Sequence, residues 1–345
     1  MSDLFRIGIS DDFYTEAAEP LEFVCQKKLA GVPGLAWDRI QTDNDKCAGA
    51  GELKNYDAIF ALATKITAGS LRGVERLAVV ARWGVGYDRI DVPALTEAGV
   101  ALTITPGAVR RPVSEAIFTL IFALSKNLLL QDKVTRAGGW RGDLPKMGIS
   151  IAGRTLGSVG CGNIGQEMFR VAQSLGFGRF IAYDPFVTQE QVKHLGVELV
   201  DMDTVFRESD FVTVNTLLNQ NTCGLIQQRH FRLMKPASYF INTARGPIVE
   251  HAALVQALRE HWIAGAGIDV FPIEPPPKDD PLFALDNVIV APHALAWTTE
   301  LMNDNGSEAA NAVLSVSRGE VPNGVVNRDV LTHPKFLAKL ERLRK

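Results

Sequence analysis

Three side chains of different chemistry each follow a short apolar segment of the kind that forms a buried strand. His293 closes Val288-Ile-Val-Ala-Pro-His293, and it alone of the six histidines follows such a segment. An imidazole there can serve as a general acid or base, because its ordinary pKa lies near neutrality. The competing reading is a histidine satisfied by backbone at a hinge. Arg245 stands in Asn242-Thr-Ala-Arg-Gly-Pro247, between an apolar segment and a Gly-Pro turn. Its guanidinium can hold a carboxylate through two parallel hydrogen bonds and polarise a neighbouring carbonyl. A surface arginine paired with an acid fits the same position. Glu274 precedes Pro275, Pro276 and Pro277, which stiffen its loop and fix the carboxylate's direction. Taken alone, an acid before prolines is usually a loop acid.

A second constellation identifies what these groups would act with. Gly160, Gly162 and Gly165 are spaced G-x-G-x-x-G between an apolar segment, Thr155 to Gly160, and a predicted helix from Asn163. The first glycine makes a tight turn, the second lets backbone approach a pyrophosphate, and the third lets helix and strand pack closely. The pyrophosphate then lies on a helix N-terminus, where free N–H groups and the helix dipole favour an anion. Glycines also occur in ordinary strand-to-helix turns, so the triplet needs a partner. Asp184 supplies it, ending a second apolar segment, Arg179 to Asp184. A carboxylate there accepts hydrogen bonds from both ribose hydroxyls and repels a 2′-phosphate, which predicts NAD in preference to NADP. With NAD bound, hydride transfer needs only positioning, a proton carrier and a clamp for the substrate's charge.

The elements that must position these residues alternate between strand and helix. Strands are predicted at residues 4–10, 57–62, 77–82 and 100–104, before a long apolar helix, Pro112 to Leu130, expected to be buried nearly all round. After Asp184 the series resumes, with strands at 211–215, 238–242, 264–271 and 288–291 and helices near 189–194, 227–234 and 250–261. Such alternation gives parallel sheets covered by helices, and ligands gather at the carboxyl ends of their strands. Arg245, Glu274 and His293 can therefore converge. A helix is predicted from Thr298 to Ser317. The basic ending, FLAKLERLRK, reads as a solvated helix face, on a tail too short to bury a core of its own.

With 46% hydrophobic and 22% charged residues over 345 positions, the chain is an ordinary globular one long enough for two domains. A net charge of -3 gives no electrostatic case for nucleic acid or an anionic membrane, which favours small-molecule work. The start, MSDLFRIGIS, enters a strand-like alternation directly and is expected to carry no leader, and the longest apolar run, Ala116 to Leu124, is too short for a membrane span. Cysteines 25, 47, 161 and 223 have no metal-type spacing, which points to reduced thiols, no metal site and a cytoplasmic location.

GSVGCGNIGQ, AYDP, NTARGPIVE, GAGIDVFPIEPPP and IVAPHALAWTT, in this order, resemble the D-isomer-specific 2-hydroxyacid dehydrogenase family. The likeness extends to RWGVGYDRID, TPG and LMKPASYFINTARG, and so to most of the chain. It implies an α/β enzyme of two Rossmann-like doubly wound domains, with an NAD-binding domain, 111–294, inserted into a discontinuous substrate domain, 1–110 and 295–345. The implied reaction interconverts a D-2-hydroxy acid and its 2-oxo acid, commonly in a homodimer built around the long helix. In the implied roles Arg245 binds the substrate's carboxylate and carbonyl, His293 carries the proton, and Glu274 hydrogen-bonds His293 and favours its protonated form. Val85 and Gly86 cradle the carboxylate. Asn163 and Ile164 touch the pyrophosphate, Asp184 the adenine ribose, and Thr243 and Asp269 the nicotinamide side, with Gly160, Gly162, Gly165 and Ala244 also in the cofactor site.

Two positions depart from the family's pattern. Asn215-Thr-Leu-Leu-Asn219 replaces a usual His-x-Pro-Leu-Thr, and Glu250 stands where Asp is common. Formate dehydrogenases are disfavoured by Glu274, where they use glutamine. Phosphite dehydrogenases keep the trio, and NAD-sensing corepressors share the fold. Hydroxypyruvate, glyoxylate, phosphorylated acids and sugar-derived 2-oxo acids all suit the resemblance. Pocket size depends on side chains such as Trp83, Arg110, Leu295 and Trp297, the last equally suited to a core or subunit-contact role.

Overall fold

The chain folds into two units, residues 1–109 with 297–345 and residues 110–296, in a computed structural model that describes residues 4–344. Residues 1–3, on which the reading of the chain's start partly rests, and Lys345 of the basic ending lie outside the described residues. The first unit holds β1 (Phe5–Ser10), β2 (Leu35–Ile40), β3 (Ala58–Ala61), β4 (Val79–Arg82) and β5 (Ala101–Thr103). They form one parallel sheet in the order β2-β1-β3-β4-β5. Strand β2 was not anticipated. It is an edge strand in which only Ile40 of LAWDRI is buried and Asp38 and Arg39 interrupt the apolar residues, so it lacks the apolar run by which buried strands are read. Helices α1 (Ala18–Val24) and α2 (Val92–Glu97) belong to this unit, and Asp91 caps α2 by accepting from the Ala94 N–H.

Helix α3 runs Pro106–Ser125 and α4 Leu128–Arg136. The single buried helix expected at 112–130 is corrected on two counts. Asn127 takes a left-handed backbone, φ 51°, which breaks the run into two helices. The burial is also one-faced: Ile117, Leu120, Ile121 and Leu124 are buried, while Arg111, Glu115, Thr119 and Phe122 are exposed at helical spacing. The buried face meets the second sheet, where a Cβ on Gly267 would lie 2.9 Å from Leu120 Cβ.

That second sheet is built from β6 (Thr155–Val159), β7 (Arg179–Tyr183), β8 (Val197–Leu199), β9 (Phe211–Val214), β10 (Tyr239–Asn242), β11 (Gly265–Ile268) and β12 (Val288–Val290). Interleaved are α5 (Asn163–Ala172), α6 (Met202–Glu208), α7 (Gln228–Leu233) and α8 (His251–Arg259). All pairings are parallel, in the order β12-β11-β10-β9-β6-β7-β8. The chain proceeds outward from β6 through β7 and β8, then returns to the other side of β6 with β9. The carboxyl end of β6 is therefore a topological switch point, the place where doubly wound sheets bind ligands. Strands β9, β10 and β11 are buried along their whole length.

The first unit is completed by α9 (Thr299–Ser317), capped by the Thr298 hydroxyl, and α10 (Pro334–Leu343). The expectation of a solvated basic face on α10 is corrected. Phe336, Lys339 and Leu340 are buried, and the Lys339 ammonium donates to the carbonyls of Leu77 (2.7 Å), Ala98 (2.8 Å) and Gly99 (3.0 Å). Arg342 pairs at 2.8 Å with Asp57, which is buried and also bound by Arg76. Lys339 lies on the docked side because it closes otherwise unpaired carbonyls, whereas Arg342 reaches the buried Asp57 from a side chain that stays 44% exposed. Among the described residues no single helix is long and apolar enough to cross a membrane.

Candidate active site

The loop between β6 and α5 meets each requirement read from its glycines. Gly160 has φ +96°, and a Cβ there would stand 2.6 Å from the Asn215 backbone. Gly165 would place a Cβ 2.8 Å from the Gly160 carbonyl, so any side chain would push α5 off the strand end. A Cβ on Gly162 would meet nothing within 4 Å, which leaves open space beside the first turn of α5, where Asn163 and Ile164 lie. The Ser158 hydroxyl donates to the Gly160 carbonyl at 2.6 Å, and the Gly160 N–H donates to the Tyr183 carbonyl at 2.8 Å. Asp184 follows β7 and locks the same loop: one carboxylate oxygen accepts from the Cys161 N–H at 2.8 Å, the other from the Phe186 N–H at 2.9 Å. Each oxygen keeps a second lone pair for a ribose hydroxyl. Cys161 is buried, and burial pushes its thiol up to about 12, which keeps it a neutral filler.

At the end of β10, the Thr243 hydroxyl is buried with no hydrogen-bond partner among the described residues. An orphaned hydroxyl at the carboxyl edge of the same sheet as the glycine loop fits a dinucleotide, whose amide or ribose would satisfy it.

The chemical trio is assembled by three adjacent strands of this sheet. After β10, the buried Asn242 side chain pins the turn, accepting from the Ala244 N–H and donating to the Arg245 carbonyl, both at 3.0 Å. A Cβ on Gly246 would fall 2.0 Å from the Phe271 carbonyl carbon, so only glycine lets the Arg245 turn lie against the loop that follows β11. In that loop one Glu274 carboxylate oxygen accepts from the Phe271 N–H at 3.0 Å. The other lies 2.7 Å from His293 Nδ1, after β12. His293 has φ 56°, a left-handed conformation costly for a residue with a Cβ. Asp269, nearly fully buried, holds it there by accepting from the N–H groups of Ala294 (3.2 Å) and Leu295 (3.3 Å).

The electrostatics give these carboxylates opposite tendencies. Burial works to raise the Glu274 pKa, but the hydrogen bond and charge of His293, the Phe271 amide and the Arg245 charge outweigh it and hold the group below its ordinary value. Burial wins at Asp269 and raises its pKa, despite the His293 charge and the two amides. Glu274 is thus an ionised, acceptor-only group at neutral pH, so the shared proton sits on His293 Nδ1 and Nε2 is the ring atom left for a reactant. Both side chains are 38% exposed and accessible to one.

Other expected residues lie elsewhere. Val85 and Gly86 follow β4 in the first unit, half-buried. Trp83 does not line a pocket: it is 1% exposed in the core of the first unit, edge-on to Phe13 at 4.7 Å and Phe60 at 5.8 Å. Arg110 and Trp297 are exposed, and Leu295 packs on the apolar cluster beneath α3. Asn242 and Asp269 have positioning roles that sequence reasoning did not assign. The one local signal was a polar residue ending an otherwise apolar strand, as in Tyr239-Phe-Ile-Asn242.

Residues 118–294 match the family model described as D-isomer specific 2-hydroxyacid dehydrogenase, NAD binding domain. The chain is similar to a glyoxylate reductase of Korarchaeum cryptofilum, 38% identical over 283 residues, or 81% of this chain and 85% of that protein. It is also similar to a D-3-phosphoglycerate dehydrogenase of Methanocaldococcus jannaschii, 34% identical over 340 residues, or 98% of this chain and 62% of that one. Among solved structures, a glyoxylate reductase from Paecilomyes thermophila matches with a TM-score of 0.80 at 25% identity, covering 94% of this chain and 99% of that one.

Proposed function

Since the chain belongs to the D-isomer-specific 2-hydroxyacid dehydrogenases, NAD-dependent oxidoreductases of CH–OH donors, we propose that it interconverts a short D-2-hydroxy acid and its 2-oxo acid with His293 as proton carrier. The observation that carries this reading is the 2.7 Å pair between His293 Nδ1 and the Glu274 carboxylate, on a strand end beside that of Arg245. Glu274 orients the imidazole and leaves Nε2 to give a proton to the carbonyl oxygen of a 2-oxo acid, or to take it back in the oxidation. Arg245 binds the substrate carboxylate and polarises the carbonyl, and Val85 and Gly86 are assigned as backbone contacts of the substrate. Bound NADH supplies the hydride.

In this reading residues 111–294 bind the dinucleotide, while 1–110 and 295–345 form the substrate domain. Asn163 and Ile164 lie at the pyrophosphate, Thr243, Ala244 and Asp269 at the nicotinamide, and Asp184 at the adenine ribose, where its charge disfavours NADPH. A glyoxylate-sized substrate is supported by the relatives that carry that name. Exposed Phe122, Leu128, Leu129, Trp140 and Met147, on or near α3 and α4, support a homodimer. Four free cysteines support a reducing, cytoplasmic setting.

The test is a panel of glyoxylate, hydroxypyruvate, pyruvate and 3-phosphohydroxypyruvate with NADH and NADPH, followed by loss of reduced-cofactor absorbance. The highest kcat/KM is expected for NADH with a short unphosphorylated acid. Turnover of none of the four overturns the reaction, and equal use of NADPH overturns the role of Asp184.

A further inference from the structure

The segment before Val85 is held by residues distant in sequence. Gly84 has φ +119°, a conformation for glycine alone, and Thr105 grips it on both sides. The Gly84 N–H donates to Thr105 Oγ1 at 2.7 Å, and the Thr105 N–H donates to the Gly84 carbonyl at 3.1 Å. The Gly84 carbonyl and the Val85 N–H belong to one planar trans peptide and point in opposite directions. Fixing the carbonyl on Thr105 therefore aims the Val85 N–H away from it.

Thr105 is in turn set by α9. Its hydroxyl donates to Asn305 Oδ1 at 2.5 Å, which commits the hydroxyl proton and presents a lone pair to the Gly84 N–H. Thr105 and Asn305 are 1% and 3% exposed, so water does not substitute for either bond. The next residue of α9, Gly306, lets the Trp83 ring close in: a Cβ there would lie 2.5 Å from it. Successive residues of one helix thus clamp Trp83 by packing and Gly84 by a hydrogen-bond relay, all within the first unit.

We propose that Thr105 and Asn305 are positioning residues that orient the Val85 and Gly86 amides for the substrate's carboxylate. The proposal rests on the reading of Val85 and Gly86 as the carboxylate cradle. It assigns the relay to substrate binding and not to hydride transfer or cofactor binding, because the relay reaches only the loop before those amides.

The test compares Thr105→Val, Thr105→Ser and Asn305→Ala with the parent, measuring KM for the best 2-oxo acid, kcat, Kd for NADH and Tm. Valine keeps the shape and loses the acceptor, leaving the Gly84 N–H buried and unpaired. KM for the acid is expected to rise about tenfold in Thr105→Val and severalfold in Asn305→Ala, with kcat and the NADH Kd within about twofold. Thr105→Ser, which keeps the hydroxyl, is expected to restore the parent KM. Where Thr105→Val yields no folded protein, Asn305→Ala and Thr105→Ser decide. An unchanged KM with a lowered Tm, or a serine variant as impaired as valine, overturns the relay while the proposed function stands. A parent that turns over no 2-oxo acid overturns both.

Discussion

The carboxyl edge of the five-stranded sheet and that of the seven-stranded sheet are built on the same plan and finished in opposite ways. At the first, two sets of polar groups are paired among themselves and closed off from water, Gly84 with Thr105 and Asn305, and the Ser10 hydroxyl with the buried Asp12 carboxylate, while the Val85 and Gly86 backbone beside them stays half-buried. At the second, Arg245, Glu274 and His293 are charged or titratable and only partly buried. A group that exchanges a proton with a reactant must keep an unsatisfied atom facing outward. Amides that hold an anion work best when their neighbours have already fixed their direction. Two parallel sheets of one fold type can thus divide holding from chemistry by which strand ends are closed and which are left open.

Substitutions can break that division. The largest effect is expected at Arg245→Gln, where kcat/KM for the 2-oxo acid falls about 10³-fold, the scale of losing one partner of a close charge pair, with the NADH Kd unchanged. Loss of NADH binding would move Arg245 out of the substrate's contacts.

Glu274→Gln comes next, with kcat lowered about 10- to 100-fold, because the amide no longer stabilises the imidazolium. Its pH dependence sharpens the point. The Glu274 pKa is depressed in the folded protein, so its pairing is complete above the ordinary carboxylate value, about 4.3, and is lost only as pH falls through the lower folded value. The parent's kcat profile should therefore show no acid limb from Glu274 at or above that ordinary value. A Glu274-dependent limb at higher pH would contradict the assigned environment.

The smallest kinetic effect is expected in the closed unit. Lys339→Met leaves three buried carbonyls without their donor and should lower stability by about 2 kcal/mol in denaturant titration, with kcat within about twofold. A large fall in kcat without a loss of stability would show that the closed unit takes part in the chemistry.

The doubly wound class was legible because buried parallel strands are short apolar runs separated by helical periods. Arg245 and His293 could be singled out because each is a reactive side chain shortly after such a run, and Glu274 because three prolines follow it. What positions them could not be read this way. Asp269 reaches across to the amides of Ala294 and Leu295, and Asn305 meets Thr105 from 200 positions away. Such contacts leave no periodicity in either segment. Strand β2 escaped notice as an exposed edge, and Lys339 read as one more solvated cation because nothing local records three carbonyls converging on it.

The most direct test of this division is single-turnover reduction by His293→Asn, run beside a fluorescence titration of NADH. The division predicts a chemical step slowed by about 10²- to 10⁴-fold, the usual worth of a general acid, with the NADH Kd within about twofold of the parent. A variant that reduces the acid at near-parental rate would contradict it, because the proton would then come from a group other than His293.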